Sequence, residues 1–414
     1  MDIDMAHLPN SWQKRRIRDI GDIVTGRTPS TKREDFYGGD YNLISPADLD
    51  AGKYVLTAHK RLTPLGLGEC RALPRDTVLV GCIGNIGKLG MVSNERSATN
   101  QQINAVICNH DNDAHFIYYC LYANRTRLEH AADKTTVPIL NKTNFENFQI
   151  AVPPLPEQRK IAAVLGLVQQ AIEQQERLIA LTTELKKTLL HQLFTQGLHG
   201  EPQKQTEIGP VPESWEVVKI GSLGKVVTGT TPKTKVPEYY SPPEVDFIAP
   251  VDLGQTRQIY SSEKKISRRG LEVIRNLPKN SVMCVCIGSS IGKVGMTSKA
   301  DSATNQQINS IVCNEKHDPA FAYYLLSYFA EYWRGFATFG PVPILSKGGF
   351  EAINIVLPAT KDEELEIAQC FTALDAKMEV HMHRKALLTD LFRTLLHQLM
   401  TAQIRVHEIA LSEV

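Results

Sequence analysis

The groups equipped to hold a ligand are few, and each occurs twice. CIGNIGK ends on Gly87-Lys88 and CIGSSIGK on Gly292-Lys293, glycine turns followed by a lysine, which is phosphate-contact chemistry. Neither is a nucleotide loop: GxxxxGK[ST] needs four residues between its glycines and a hydroxyl after the lysine, where Leu89 and Val294 stand. Thr25 and Thr28 of TGRTP, with Arg27 between them, match Thr228 and Thr231 of TGTTP, followed by Lys233. They are either turns or grips for phosphate oxygens. Asn100, Gln101 and Gln102 match Asn305, Gln306 and Gln307, and such amides either read adenine or lock a turn. Because SATNQQIN is identical in both copies, it would discriminate only a base common to two sites, so a turn is the simpler expectation.

Catalytic constellations are missing from the sequence: there is no HExxH, no GxGxxG and no Cys/His quartet at zinc spacing. His191 and His397 recur on helical TLLHQL segments, where a packed or surface role is expected rather than a ligand role. The eight cysteines contain no C-x-x-C. Cys82, Cys108, Cys286 and Cys313 lie in apolar runs and read as buried thiols of a reduced, cytoplasmic protein. No apolar stretch approaches the ~20 residues a bilayer requires, and the acidic start MDIDMAHLPN has no apolar leader core.

With 414 residues, net charge +1 and 42% hydrophobic content, the chain exceeds one typical core, so two or more domains are expected. Charge is evenly spread, which excludes a histone-like polyanion binder but not a protein that meets nucleic acid through local clusters. Two such clusters are Lys14, Arg15, Arg16 and Arg18, and Lys264, Lys265, Arg268 and Arg269, either of which also reads as a solvated face.

These elements are positioned by a duplication. Residues 8–31 match 211–234, CIGNIGKLGM matches CIGSSIGKVGM, VPILNKTNFENFQIAVP matches VPILSKGGFEAINIVLP, and TLLHQLFT matches TLLHQLMT. A repeat of this length fixes architecture more firmly than local propensity does. Each copy opens with a globular part. Short Val/Ile/Cys runs at 77–83, 103–108 and 149–152 and their counterparts predict strands. A helical patch around Tyr118 and Tyr119, or Tyr323 and Tyr324, makes the part mixed α and β.

Each copy then closes with a helix of about 40 residues, ~60 Å at 1.5 Å per residue. It is entered through VPPLPEQ in the first copy and LPATKDEE in the second. Heptad spacing lines up Ile161, Val168, Gln175, Thr182 and Leu189, with Val164, Ala171, Leu178 and Leu185 beside them and Leu165, Ile172 and Ile179 flanking. The second copy lines up Ile367, Leu374, His381, Leu388 and Leu395, flanked by Phe371, Met378, Phe392 and Leu399. The two stripes are expected to bury each other as an antiparallel coiled coil with a pseudo-twofold axis. Polar centres at Gln175, Thr182, His381 and Arg384 would fix the register. The expected fold class is α+β: globular domain 1 at 1–155, helix 156–197, globular domain 2 at 198–359 with a linker at 198–210, helix 360–402, and a tail at 403–414.

Two copies with different targets should differ where base edges are touched. They differ at 33–75 against 236–279, around 111–115, and at 123–134 against 328–339. The candidates there are Arg33, Lys53, Lys60, Arg61, Arg125, Arg127 and Lys134, and Arg257, Lys264, Lys265, Arg268, Arg269 and Arg334. Lys88, Lys293, Lys142 and Lys347 join them from the shared motifs.

In the order globular part, helix, globular part, helix, with TGxTP, IGKxG, NQQIN and VPIL in both copies, the chain resembles the DNA-specificity subunit of type I restriction-modification systems. The resemblance covers nearly the whole chain. It implies that each globular part reads one half of a bipartite, asymmetric site in double-stranded DNA, with the helices as spacer and as docking surface for two methyltransferase subunits. Restriction subunits join in the full complex. It further implies a non-catalytic chain without a cofactor of its own, with S-adenosylmethionine, ATP and Mg in partner subunits. Consistently, no NPPY-like tetrapeptide occurs. The alternatives are a helical adaptor that never touches DNA and a methyltransferase or nuclease acting alone. The second lead-in, LPATKDEELEIA, departs from the PPLPEQRKIA of the first.

Overall fold

The computed structural model describes residues 9–94, 96–133 and 137–406; the candidate Lys134 and positions 407–414 of the expected tail lie outside them. The chain divides into two compact units, 1–177 with 383–414, and 178–382. Each contains one globular part and one half of each long helix.

In unit 1 the apolar runs form a five-stranded sheet in the order Gly21–Thr25, Ile103–Cys108, Val78–Gly81, Leu89–Val92, Tyr54–Val55, antiparallel except for the last pair. Val78–Gly81 and Leu89–Val92 are buried at every residue, which explains why their sequences are continuously apolar rather than alternating. A three-stranded sheet, Lys60–Leu62, Tyr37–Ile44, Ala98–Thr99, stands beside it, and Gln13–Arg16 pairs with Gln149–Val152. The helix Ala114–Ala123, capped by the Asp113 carboxylate, buries Phe116, Tyr118 and Tyr119.

Unit 2 repeats this topology: Gly224–Thr228, Ile308–Cys313, Val282–Val285, Val294–Thr297, Gln258–Ile259 in the larger sheet, and Lys265–Ile266, Val245–Ile248, Ser302–Thr304 in the smaller. The stretch expected as a linker instead holds a hairpin, Gln203–Thr206 with Gly209–Pro212. Its Val211 is fully buried in the unit 2 core, so apolar packing orders it.

The long helices run Leu155–Gln196 and Lys361–Met400. They are antiparallel in each unit. In unit 1, Ile161 and Leu165 of the first share a core with Leu396, Leu399 and Met400 of the second. In unit 2, Leu193 and Phe194 share a core with Ile367 and Phe371. Ion pairs agree in direction: Glu176 with Lys385 at 2.9 Å, and Lys186 with Asp375 at 2.5 Å.

The seam corrects one line of the heptad reading. Leu178 and Leu185 are not pairing residues: they are 38% and 49% exposed, whereas Thr182 is buried. The inward line on the first helix is 161, 165, 168, 172, 175, 179, 182, 186, 189, 193, a strict 4-3 alternation in which Lys186 occupies an inward place that the apolar search passed over. On the second helix the expected line holds, with Ile367, Phe371 and His381 buried and Leu374, Leu388, Phe392 and Leu395 half-buried. Arg384 is exposed and does not belong to the seam.

Each globular core is closed by both helices. Phe194, from the end of the first, is fully buried among Trp215, Phe321, Tyr328 and Phe371 in unit 2. Its counterpart at the end of the second helix, Met400, is buried in the core of unit 1.

Candidate nucleic-acid interface

The four motifs that recur in the sequence converge in each globular part. In unit 1 the Gly26 and Arg27 backbone N–H groups donate to Ile103 and Thr99. A side chain at Gly26 would lie 2.2 Å from the Asn100 carbonyl oxygen, so only glycine fits. Thr25 Oγ1 donates to Asn104 Oδ1 at 2.7 Å and Thr28 Oγ1 to Gln101 Oε1 at 2.8 Å. Asn100 Oδ1 accepts from the Gln102 N–H at 3.0 Å. The Cys82 N–H donates to the Gln102 carbonyl and the Gly84 N–H to the Pro138 carbonyl, tying the IGK and VPIL segments to the same place.

Unit 2 reproduces the set: Thr228 to Asn309 at 2.7 Å, Thr231 to Gln306 at 2.7 Å, Gln307 N–H to Asn305 at 3.1 Å, and Gly288 N–H to Pro343. The hydroxyls of Thr25, Thr28, Thr228 and Thr231 and the amides of Asn100 and Asn305 are therefore engaged in holding loops together. This corrects their place among the DNA-contacting candidates, because a donor or acceptor already satisfied inside the fold gains little by turning outward. Gln101 and Gln306 are exposed and keep their amide N–H groups.

The candidate cations separate by what they touch. Arg27, Lys60, Lys233, Lys264 and Arg269 are exposed and make no ion pair among the described residues. Several others lie against local acids: Arg33 on Asp35 at 2.6 Å, Lys142 on Glu146 at 3.4 Å, Lys265 on Asp246 at 3.9 Å, Arg268 on Asp301 at 3.2 Å, Arg334 on Glu331 at 3.3 Å and Lys347 on Glu351 at 3.5 Å. Arg61 donates to the Asp40 carbonyl at 2.9 Å. Lys88 and Lys293 are half-buried, and Lys293 Nζ reaches the Pro250 carbonyl at 3.3 Å.

Three arginines are corrections. Arg125 pairs with Asp50 and lies 4.1 Å from the Tyr122 ring; Arg127 donates to Asn124 at 2.5 Å and stacks on Phe148. Arg257 is only 16% exposed, 4.0 Å from Asp375 on the second helix and 5.8 Å from the Tyr324 ring centre. Lys53, its counterpart, is likewise turned toward the helices, with Nζ 3.3 Å from the Tyr119 hydroxyl. Both sit at the same strand register, since the Met91 and Met296 N–H groups donate to the Lys53 and Arg257 carbonyls.

The two helix lead-ins are equivalent despite their wording. Gln158 Oε1 accepts from the Asp113 N–H at 2.8 Å, and Glu364 Oε2 accepts from the Asp318 N–H at 2.8 Å. Sequence reading missed Glu364 because the match is one of acceptor geometry. Glu364 also meets His317 Nδ1 at 2.8 Å, and burial pushes its carboxyl above the usual range. Burial likewise pushes the Cys82 and Cys286 thiols up to about 12, as expected of structural thiols, and all eight cysteines are free. Among the described residues no cluster suits a metal and no helix is long and apolar enough to cross a membrane.

A family model described as the type I restriction modification DNA specificity domain matches residues 9–183 and again 212–390. The chain is 28% identical over 260 residues to the type I restriction enzyme MjaIX specificity subunit of Methanocaldococcus jannaschii, covering 59% of each. It is 24% identical to the putative MjaX specificity subunit of the same organism, covering 97% of this chain and 96% of the relative. The crystal structure of the S subunit of a type I restriction-modification system from M. genitalium superposes with a TM-score of 0.66 at 16% identity, covering 95% of this chain and 97% of that one. Two matched domains, each built on the same laced motifs, place this chain in the family of type I restriction-modification DNA-specificity subunits.

Proposed function

We propose that this chain is the DNA-recognition subunit of a type I restriction-modification complex, in which each globular part reads one half of a bipartite, asymmetric site in double-stranded DNA. The observation that carries this reading is the contrast within each part. The shared loop motifs are bonded alike in both copies, while exposed cations around them differ: Arg27 stands where unit 2 has Thr230, and Lys233 and Arg269 stand where unit 1 has Ser30 and Leu65, with only Lys60 and Lys264 alike. A common frame presenting different side chains is what two readers of different half-sites require.

The helices set the interval between the half-sites and dock two methyltransferase subunits. Each helix keeps a leucine ridge outside its seam, Leu181 and Leu185 on the first and Leu387 and Leu391 on the second, all at least 45% exposed. Ridges of this kind are paired in a partner-bound state. Methyl transfer from S-adenosylmethionine, ATP-driven restriction and the Mg they need belong to the partner subunits, and the complex works in the cytoplasm. Mapping methylated adenine across the genome with and without this gene tests the reading. A bipartite motif should vanish on deletion, and exchanging residues 1–155 for another recognition domain should alter one half of it. Alteration of both halves refutes the division of labour.

A further inference from the structure

Unit 1 contains a cavity of about 1130 Å³ between its globular part and the helices. Tyr54, Tyr118, Tyr119, Tyr122 and Phe392 give it aromatic walls. Lys53 projects into it with Nζ 4.6 Å from the Tyr119 ring centre, and its one hydrogen bond among the described residues is to the Tyr119 hydroxyl. His115 lines the same cavity, and its Nδ1 is buried without a partner. Among the described residues no carboxylate hydrogen-bonds Lys53: Asp50 is paired with Arg125 and Glu176 with Lys385, while Asp113, Asp76 and Glu173, held by the Phe116 N–H, the Tyr54 hydroxyl and the Gln169 amide, act on Lys53 only through space.

Unit 2 shows the same position with an anion in place. Arg257 stands for Lys53, Lys186 for Phe392, and Asp375 for Gln169; the last two accept hydrogen bonds from Tyr324 at 2.7 Å and Tyr119 at 2.8 Å. The Asp375 carboxylate lies 2.5 Å from Lys186 and 4.0 Å from Arg257. Unit 1 has the cation and the tyrosine but a neutral amide where the carboxylate would be.

We propose that the unit 1 cavity binds an organic carboxylate, which pairs with Lys53 as Asp375 pairs with Arg257 while its apolar body lies against the aromatic walls. Burial lowers the Lys53 amine to about 8; it still carries its proton at neutral pH, and an anion beside it stabilises a charge that the apolar walls disfavour. Two sources share this chemistry: a small free acid, and an acidic side chain of a partner subunit. Calorimetry on the full chain uses sodium benzoate as the probe and benzamide as its neutral counterpart. Benzoate should saturate one site, with affinity falling at least tenfold in K53M and in Q169D, which supplies the carboxylate from within, and benzamide should not bind. Carbodiimide cross-linking of the complex with its methyltransferase, which rests on the assembly read above, should join Lys53 to a partner carboxylate if the source is the partner. Benzoate binding without the cross-link assigns the free acid, and the cross-link without benzoate binding assigns the partner. Benzoate binding that survives K53M and Q169D, or the absence of both signals, overturns the proposal. The calorimetric arm does not use DNA recognition, so its failure is distinguishable from failure of the functional reading.

Discussion

The joints between each globular part and the helices use one geometry with opposite electrostatics. In unit 2, Arg257, Asp375, Lys186 and Tyr324 form a charged network, and the lead-in of the second helix is held by Glu364 against His317. In unit 1 the same places carry Lys53, Gln169, Phe392 and Tyr119, and the lead-in is held by the neutral amide of Gln158. Buried charge networks contribute little net stability but are costly to break, because the surviving partner is left uncompensated. In unit 1 Lys53 has no ion-pair partner among the described residues, so removing the Gln169 acceptor strands no paired charge. The duplication has thus kept the tyrosine and its acceptor in both copies while letting charge diverge around them.

The core contrast should give the largest effect. F194A should cost unit 2 about 4 kcal/mol and M400A should cost unit 1 about 3 kcal/mol, the difference following the aromatic volume removed. Denaturation followed by fluorine NMR of fluorotryptophan, resolving Trp12 in unit 1 from Trp215 and Trp333 in unit 2, reads each separately, and a larger loss in M400A would break the comparison. Next comes D375N, which leaves Lys186 and Arg257 without their carboxylate and should cost about 3 kcal/mol in urea denaturation. Q169A in unit 1 should cost about 1 kcal/mol.

The unit 1 joint has its own signature in pH. Burial lowers Lys53 from 10.5 to about 8, so between those values the unfolded chain binds the extra proton and this group makes unit 1 more stable as pH rises. K53M should therefore stabilise unit 1 below pH 8 by about 1–2 kcal/mol, allowing for solvent screening. That gain should disappear by the ordinary lysine value of 10.5, and a pH-independent gain would show that lost charge burial is not its cause. The smallest effect is expected where the copies agree: E146A and E351A, which open the exposed pairs with Lys142 and Lys347, should each change stability by less than ~0.5 kcal/mol.

Much of this architecture was legible because the chain repeats itself. The strands at 103–108 and 149–152 and both long helices follow from apolar pattern and punctuation. What escaped was anything decided by a partner distant in sequence. Leu178 and Leu185 have heptad spacing yet point outward, since Ile179 and Lys186 take the inward places. Arg257 looks like a surface arginine until the helix brings Asp375 to it. Thr28 and Gln101 are 73 positions apart, and only the folded loops show that they satisfy each other. The hairpin at 203–212 was hidden by polar composition, because only its last two residues, Val211 and Pro212, are buried to anchor it.

The crossed closure of the cores bears on synthesis. The second core draws on residues up to Leu374, whereas the first draws on Leu396, Leu399, Met400 and Val406. A nascent chain leaving the ribosome therefore completes its second globular part while the first still lacks the segment that seals it. This inverts the usual N-terminal-first order, and a stop codon near position 395 would damage the half of the protein that was translated earliest.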